Sequence, residues 1–211
     1  GVLVDSESIA STVLAEAFAS VGVHVTPQTV ARRFHGRRQA DIFDAVEAAT
    51  RKKLPAGFAA DVTERTMQRI RQELRPVAHA ARALTWIRGP KAVASSSPFE
   101  RIRTSLEVTG LLGFFSDRLF SASGVFNGKP APDIFLHAAA RLHVDPAECI
   151  VVEDSAAGVT AALAAGMTPI GFVGGSDAPG RLAGDLGGAG ARAVIADMRA
   201  LHNTIVQLRG R

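Results

Sequence analysis

Residues 149–158 have the sequence CIVVEDSAAG, an apolar run that ends in two acidic residues and a serine. The apolar run at 149–152 is typical of a buried β-strand. Residues 156–165 are rich in alanine and are followed by Gly166, which predicts a helix that begins just after the acidic pair. A strand that leads directly into a helix is the repeating unit of a parallel sheet.

The same alternation continues through the second part of the chain. Further strands are predicted at 91–94, 119–121, 168–173 and 193–195, and further helices at 77–87, 98–108, 132–142 and 198–208. The Gly-rich segment 174–190 is expected to form a surface loop with a helical turn. The pattern predicts an α/β fold with a Rossmann-like parallel sheet core and helices on both faces.

The first part of the chain has a different character. Apolar residues recur there at helical spacing, which predicts four helices at 6–21, 27–34, 39–52 and 58–74. These helices interrupt the alternation of strand and helix. We therefore predict an inserted four-helix cap domain at 8–75, and a catalytic core built from 1–7 and 76–211.

Composition narrows the classes of function. The net charge is +4 with scattered basic residues, and the chain has one Trp and no Tyr, so a nucleic-acid partner is not expected. No apolar run is long enough for a membrane span, and the first residues do not resemble a signal peptide. The lone Cys149 cannot form an internal disulfide. We expect a cytoplasmic monomer or weak dimer that acts on a small molecule.

Polar side chains follow the predicted strands at one edge of the sheet. Ser95 and Ser96 come after one strand, Glu153 and Asp154 after another, and Lys129 lies between them in the sequence. Ligands bind at the carboxyl ends of parallel strands. Carboxylates suit Mg²⁺, and hydroxyl and ammonium groups suit phosphate oxygens, so the set predicts phosphoryl chemistry.

Each of these features alone also has a structural explanation. Ser95 and Ser96 precede a proline and resemble a helix start, Asp154 is placed to cap the next helix, and most lysines are simply solvated. Two adjacent carboxylates at a strand end, however, repel each other unless a cation relieves them. The coincidence of three such features at one edge favours a site.

Four segments carry a family resemblance. They are GVLVDSE at 1–7, VASS at 93–96, GKPAPDIF at 128–135 and VVEDSAAG at 151–158. In this order they resemble the four motifs of the haloacid-dehalogenase-like hydrolases. The best match is the subgroup of β-phosphoglucomutase and small sugar-phosphate phosphatases, which carries a helical cap after the first motif.

The resemblance implies a role for each residue of the set. Ser95, helped by Ser96, would bind the phosphoryl group that is transferred. Lys129 would bridge that phosphate and a nucleophilic carboxylate, so Lys129 and Ser95 are the predicted catalytic residues. Asp154, with Glu153, would hold Mg²⁺.

The family's nucleophile and its general acid/base are the two Asp residues of an Asp-x-Asp motif. Both correspond to positions upstream of Gly1, and so does the central strand of the family's sheet. We expect an N-terminal segment that supplies them, because without that strand two neighbouring strands would keep unpaired backbone groups.

The loop between the second and third predicted helices is the candidate substrate loop of the cap. It contains His35, Gly36, Arg37 and Arg38. In the resembling family the equivalent loop meets the substrate. An Arg here could grip a phosphate or carboxylate, although a solvated basic turn explains the same residues.

Several functions share this scaffold. The resemblance implies a phosphatase with an aspartyl-phosphate intermediate or a mutase that returns the phosphoryl group to a sugar. A haloacid dehalogenase needs no metal, and the pair Glu153 and Asp154 argues against it. A non-catalytic relative that binds a phosphometabolite remains the alternative if the upstream Asp-x-Asp is absent.

Overall fold

The computed structural model describes residues 1–34, 36–175 and 179–210. The first part of the chain is helical, as its apolar periodicity predicts. Its helices are α1 (Ser6–Ser20), α2 (Pro27–Phe34), α3 (Gln39–Thr50) and α4 (Phe58–Glu73).

These four helices share a hydrophobic cluster of their own. The rings of Phe18, Phe43 and Phe58 lie at its centre, with centroids 5.4–6.3 Å apart and both edge-to-face and stacked pairs. Val13 and Phe18 of α1 are almost fully buried against them. The cap domain therefore has an apolar core that does not depend on the strands.

The second part of the chain alternates strand and helix. The strands are β1 (Val93–Ser95), β2 (Leu119–Ser121), β3 (Ile150–Glu153), β4 (Thr168–Phe172) and β5 (Ala193–Ile195). The helices are α5 (Ala80–Trp86), α6 (Phe99–Val108), α7 (Asp133–Leu142), α8 (Ala156–Ala164), α9 (Pro179–Gly188) and α10 (Leu201–Arg209). Across the described ranges, no helix has the length and apolar character required to cross a membrane.

All pairs of adjacent strands are parallel, which confirms the predicted fold class. β1 pairs with β2, and β3, β4 and β5 form a second sheet in that order. Within the described part of the chain, β1 and β3 are not joined by a strand ladder. This break lies where the resemblance expects the central strand.

Two chain segments cross between the helical cap and the core side by side. Val4 and Pro76 form an isolated antiparallel bridge. Asp5 N donates to Arg75 O at 3.2 Å, and Val77 N donates to Leu3 O at 2.9 Å. The predicted division at residues 7 and 76 stays a prediction, and these paired connections support it.

The segment 174–190 differs from the expected loop, because Pro179–Gly188 is the helix α9. Glycines weaken helix propensity, but Leu186 is fully buried against Val159 and Val173. Burial of this apolar face outweighs the low helix propensity. The local sequence of the segment does not predict this burial.

Candidate active site

A cavity of about 1450 Å³ lies at the carboxyl ends of β1 and β3 and continues between these strands. Both the core and the cap contribute to its walls. The predicted site residues that line it are Ser95, Ser96, Lys129, Glu153, Asp154, Gly36 and Arg37. The structure thus brings together the side chains that the sequence places at one edge of the sheet.

The serine loop after β1 is held in a fixed shape by its own hydroxyls. Ser95 Oγ accepts a hydrogen bond from Ser97 N at 3.2 Å, and Ser121 Oγ donates to Ser97 O at 2.7 Å. The parallel pairing of β1 with β2 places Ser121 beside Ser95. The loop therefore presents the Ser95 hydroxyl and its neighbouring backbone to the cavity as one preformed unit.

Lys129 reaches from its loop to both strand ends. Its Nζ donates to Ala94 O, the last carbonyl before Ser95, at 3.2 Å, and forms an ion pair with Glu153. The ammonium also lies 4.9 Å from the centroid of the Phe135 ring. With its side chain only 6% exposed, Lys129 supplies a fixed positive charge at the cavity wall.

Glu153 is the buried partner that holds this charge in place. One carboxylate oxygen accepts from Lys129, and the other accepts from Ser155 Oγ at 3.0 Å. Ser155 Oγ in turn accepts from Gly158 N at 3.1 Å and caps α8. A Cβ atom at Gly158 would overlap the Glu153 carboxylate, so glycine is required there.

Asp154 is the most accessible carboxylate of the pair. Its side chain is 20% exposed, and its Oδ2 lies 3.3 Å from the backbone nitrogen of Gly1. In the parts of the chain with described coordinates, no three His, Cys, Asp or Glu side chains cluster as a metal site. Mg²⁺ commonly takes one or two protein carboxylates with waters and substrate oxygens, so Asp154 fits as one such ligand.

The positions of the two carboxylates separate their predicted roles. Both residues line the cavity, but the Glu153 side chain is 6% exposed, with both oxygens accepting hydrogen bonds inside the protein, whereas the Asp154 side chain is 20% exposed. The more exposed Asp154 is therefore better placed to reach a metal than Glu153, which contacts Lys129. The assignments of Asp154 and Glu153 to Mg²⁺ both stay predictions.

The cap loop contacts the core through Gly36. Its carbonyl accepts a hydrogen bond from Ser96 Oγ at 3.0 Å, across 60 positions of sequence. Gly36 has φ +77°, and a Cβ there would lie 2.8 Å from Ser155 Cβ and Oγ. Glycine thus allows the cap to approach two loops of the core at once.

The two arginines of this loop differ in their surroundings. Arg38 donates two hydrogen bonds to the carboxylate of Asp41, at 3.0 and 3.1 Å. These bonds raise the pKa of the Arg38 guanidinium. The Arg38 side chain also packs on Gly128. Arg37 is exposed and lines the cavity. His35 lies outside the described residues, so its predicted substrate contact stays a prediction.

Two residues that the sequence did not single out also line the cavity. Gln39 opens α3, and Arg101 lies in the first turn of α6. Within the described residues, Gln39 Nε2 and Arg101 Nε are buried with no hydrogen-bond partner. The sequence offers one indication that Arg101 faces inward: it shares a helix face with Ser105, four positions later, which is buried.

Comparisons with known proteins agree with the motifs. Residues 1–166 match the family model described as haloacid dehalogenase-like hydrolase. A 6-phosphogluconate phosphatase of Escherichia coli K12 is 33% identical over 168 residues, which are 79% of this chain and 76% of that protein. Hexitol phosphatase B of the same strain is 30% identical over 177 residues, 81% of this chain and 78% of that protein.

A solved structure matches the fold as a whole. The crystal structure of a conserved haloacid dehalogenase-like protein from Agrobacterium tumefaciens strain C58 superposes with a TM-score of 0.84 at 33% identity. The match covers 99% of this chain and 95% of that one. The chain therefore belongs to the haloacid dehalogenase-like hydrolase family, and it is an enzyme that hydrolyses phosphoric esters.

Proposed function

We propose that this enzyme is a Mg²⁺-dependent phosphatase of a small sugar phosphate, which acts through an aspartyl-phosphate intermediate. The observation that carries the proposal is the convergence of Ser95, Lys129 and Asp154 on one cavity. A hydroxyl, a fixed ammonium and an accessible carboxylate are the groups that phosphoryl transfer requires for positioning and charge stabilisation.

The relatives support the class of substrate. The two Escherichia coli enzymes are named for 6-phosphogluconate and for hexitol phosphates, and both are similar to more than three quarters of this chain. Residues of the helical part and of the strand ends both line the cavity, so a ligand bound there would meet side chains of both. A small polyhydroxylated phosphate ester is therefore the proposed substrate class.

We place the nucleophile on a segment that precedes Gly1. The unpaired edges of β1 and β3 line the same cavity in the described structure, and the backbone nitrogen of Gly1 lies beside Asp154. A strand that enters between β1 and β3 would satisfy both edges and end at Gly1. Carboxylates near the end of that strand would then lie beside Lys129, Ser95 and Asp154.

The proposed reaction has two steps. A carboxylate of the upstream segment attacks phosphorus, and a second upstream carboxylic acid protonates the leaving sugar oxygen. That second group then takes a proton from water, whose oxygen attacks the phosphorus, so inorganic phosphate leaves and the nucleophile is restored. Lys129 and Ser95 hold the phosphoryl oxygens throughout. Mg²⁺ bound at Asp154 would supply positive charge that lets the two anions approach.

A phosphate-release assay tests the proposal. The protein with its upstream residues would be incubated with a panel of sugar phosphates, with Mg²⁺ or with EDTA. We expect release of phosphate that EDTA abolishes and that falls by orders of magnitude in Asp154→Asn. Release that is insensitive to EDTA or to this substitution would contradict it. Isomerisation of a sugar phosphate without phosphate release would indicate the mutase instead.

A further inference from the structure

Arg101 occupies an unusual place for a charged residue. It lies in the first turn of α6, which follows the serine loop, and its side chain extends to the point where the cap begins. Its Nη2 donates to Ser6 O, at the start of α1, at 3.3 Å. The residue also lines the cavity of the active site. A guanidinium is thus built into the wall between core and cap.

The charge of Arg101 is incompletely compensated. In the described part of the structure its guanidinium makes that one hydrogen bond, its Nε is buried without an acceptor, and no carboxylate is in ion-pair contact with it. Burial lowers the pKa of Arg101, and the nearby charge of Glu7 acts in the opposite direction as the smaller effect. A partly buried cation without a contacting anion is costly, so an anion that reached it would be held there.

A second unsatisfied donor lines the same cavity from the cap side. Gln39 Nε2, at the first position of α3, is buried without a partner among the described residues. Lys129 and Ser95 belong to the strand-end part of the cavity, and their partners in the core are described above. The cavity therefore offers hydrogen-bond donors from Arg101 and Gln39 in addition to those of Ser95 and Lys129, which suits a ligand with acceptor oxygens beyond those of one phosphoryl group.

We propose that Arg101 binds a second anionic group of the substrate, a carboxylate or a phosphate that is not transferred. Its planar fork donates two parallel hydrogen bonds to such oxyanions, and Gln39 supplies a further donor in the same cavity. The inference rests on the proposed phosphatase function and narrows its substrate to phosphorylated sugar acids or bisphosphates. Neutral sugar phosphates would lack the group that Arg101 recognises.

A matched pair of substrates tests this directly. 6-Phosphogluconate and glucitol 6-phosphate differ at the far carbon, which is a carboxylate in the first and an alcohol in the second. We expect kcat/KM to be about tenfold or more higher for the acid. Fructose 1,6-bisphosphate distinguishes a phosphate from a carboxylate as the preferred second anion. Preference for either anionic ester over the alcohol supports the inference.

Variants then assign the preference to Arg101. Arg101→Gln should reduce the ratio of acid to alcohol about tenfold or more, and Arg101→Lys, which keeps the charge without the fork, should retain part of it. Arg103→Gln is the matched control, because Arg103 lies on the same helix, is 57% exposed and pairs with Glu107. This control should leave the ratio unchanged. Thermal unfolding of each variant verifies that it is folded.

The outcomes separate this inference from the proposed function. Equal hydrolysis of acid, bisphosphate and alcohol by the wild-type enzyme overturns the role of Arg101, whether or not the variants fold, and leaves the phosphatase intact. An unchanged preference in a folded Arg101→Gln variant overturns it as well. Failure to hydrolyse any of the three esters overturns the phosphatase proposal itself, and the inference falls with it.

Discussion

Lys129 and Glu153 form an ion pair in which both side chains are only 6% exposed. Lys129 also contacts the carbonyl before Ser95, and Glu153 precedes Asp154, so the pair joins the ends of β1 and β3. Removing two charges from water is costly, so a buried ion pair contributes little net stability. We infer that the pair instead fixes the lysine in one orientation at the phosphate site.

A double-mutant cycle on this pair separates its structural and catalytic parts. Glu153→Gln leaves the Lys129 ammonium buried without its counter-charge and should lower the free energy of unfolding by about 3–5 kcal/mol. Lys129→Met in the same chain should recover part of that loss, because the unpaired cation is gone.

Activity should behave differently from stability in this cycle. Lys129→Met, alone or with Glu153→Gln, should reduce kcat by orders of magnitude because the charge on the phosphoryl group is no longer compensated. Chemical denaturation and phosphate release measure the two quantities. A double variant that regains activity together with stability would show that Lys129 is structural.

Gly158 should be irreplaceable because of the same pair. An alanine methyl group at this position overlaps the Glu153 carboxylate, which has to move and take Lys129 with it. We expect Gly158→Ala to cost about 1–3 kcal/mol of stability and to reduce kcat.

Gly184→Ala is the control for Gly158→Ala. Gly184 is also helical, in α9, and a Cβ there meets nothing within 4 Å. It should be neutral or stabilise the protein by about 0.5–1 kcal/mol, with unchanged kcat. Equal effects of the two substitutions on kcat would refute the argument.

Gly36 and Gly22 provide a similar comparison for the cap. Their φ angles are +77° and +78°, so alanine introduces comparable strain of about 1–2 kcal/mol at either position. A Cβ at Gly36 would lie against Ser155 at 2.8 Å, whereas Gly22 has nothing within 4 Å.

We therefore expect Gly36→Ala to lose at least as much stability as Gly22→Ala, and Gly36→Ala alone to lose kcat/KM, because the cap loop can no longer approach Ser155 and Ser96. Melting temperatures and steady-state kinetics with one sugar phosphate test this. A kinetic defect of the same size in Gly22→Ala would mean that cap stability, and not loop contact, is responsible.

The sequence could predict the fold because its local signals agree with the final packing. The helices of the cap follow their apolar periodicity, and the ends of β1 and β3 carry polar residues that line the cavity. The exception, α9, is stabilised by the burial of Leu186 against Val159 and Val173, which are distant in sequence. The local sequence of a glycine-rich segment does not predict such contacts.

The site was predictable only in part, because some of its features depend on contacts between residues that are distant in the sequence. Ser95 and Asp154 stand at strand ends, where position alone indicates function, and Lys129 lies in the segment 128–135, which resembles a family motif. The roles of Gly158 and Gly36 depend on close contacts with Glu153 and Ser155, which only coordinates reveal. Arg101 resembles any helical arginine in the sequence, and its unpartnered Nε appears only in the packed structure.

Cys149 should react slowly with alkylating reagents. Its side chain is half-buried beside β3, and burial, with the charges of Asp145 and Glu148, raises the pKa of its thiol. A raised pKa leaves less thiolate at a given pH, so the rate with iodoacetamide at pH 8 should be well below that of an unhindered thiol and should keep rising above pH 9.

This measurement is clean because the chain contains one cysteine. Glutathione under identical conditions serves as the reference thiol. Labelling as fast as glutathione, with a plateau near pH 8.5, would contradict both the burial and the direction of the shift.

Arg37 and Arg38 should contribute unequally to substrate binding. The guanidinium of Arg38 is engaged by Asp41, with 36% and 40% of the two side chains exposed, whereas Arg37 faces the cavity without a described salt bridge. Arg37→Ala should raise KM about tenfold, which corresponds to the loss of one charge-assisted hydrogen bond. Arg38→Ala should raise KM less, because its charge already has a partner.

Arg32→Ala, on the exposed face of α2, controls for the loss of positive charge from the cap. Steady-state kinetics of the three variants would decide, and a larger KM effect at Arg38 than at Arg37 would mean that the substrate displaces Asp41.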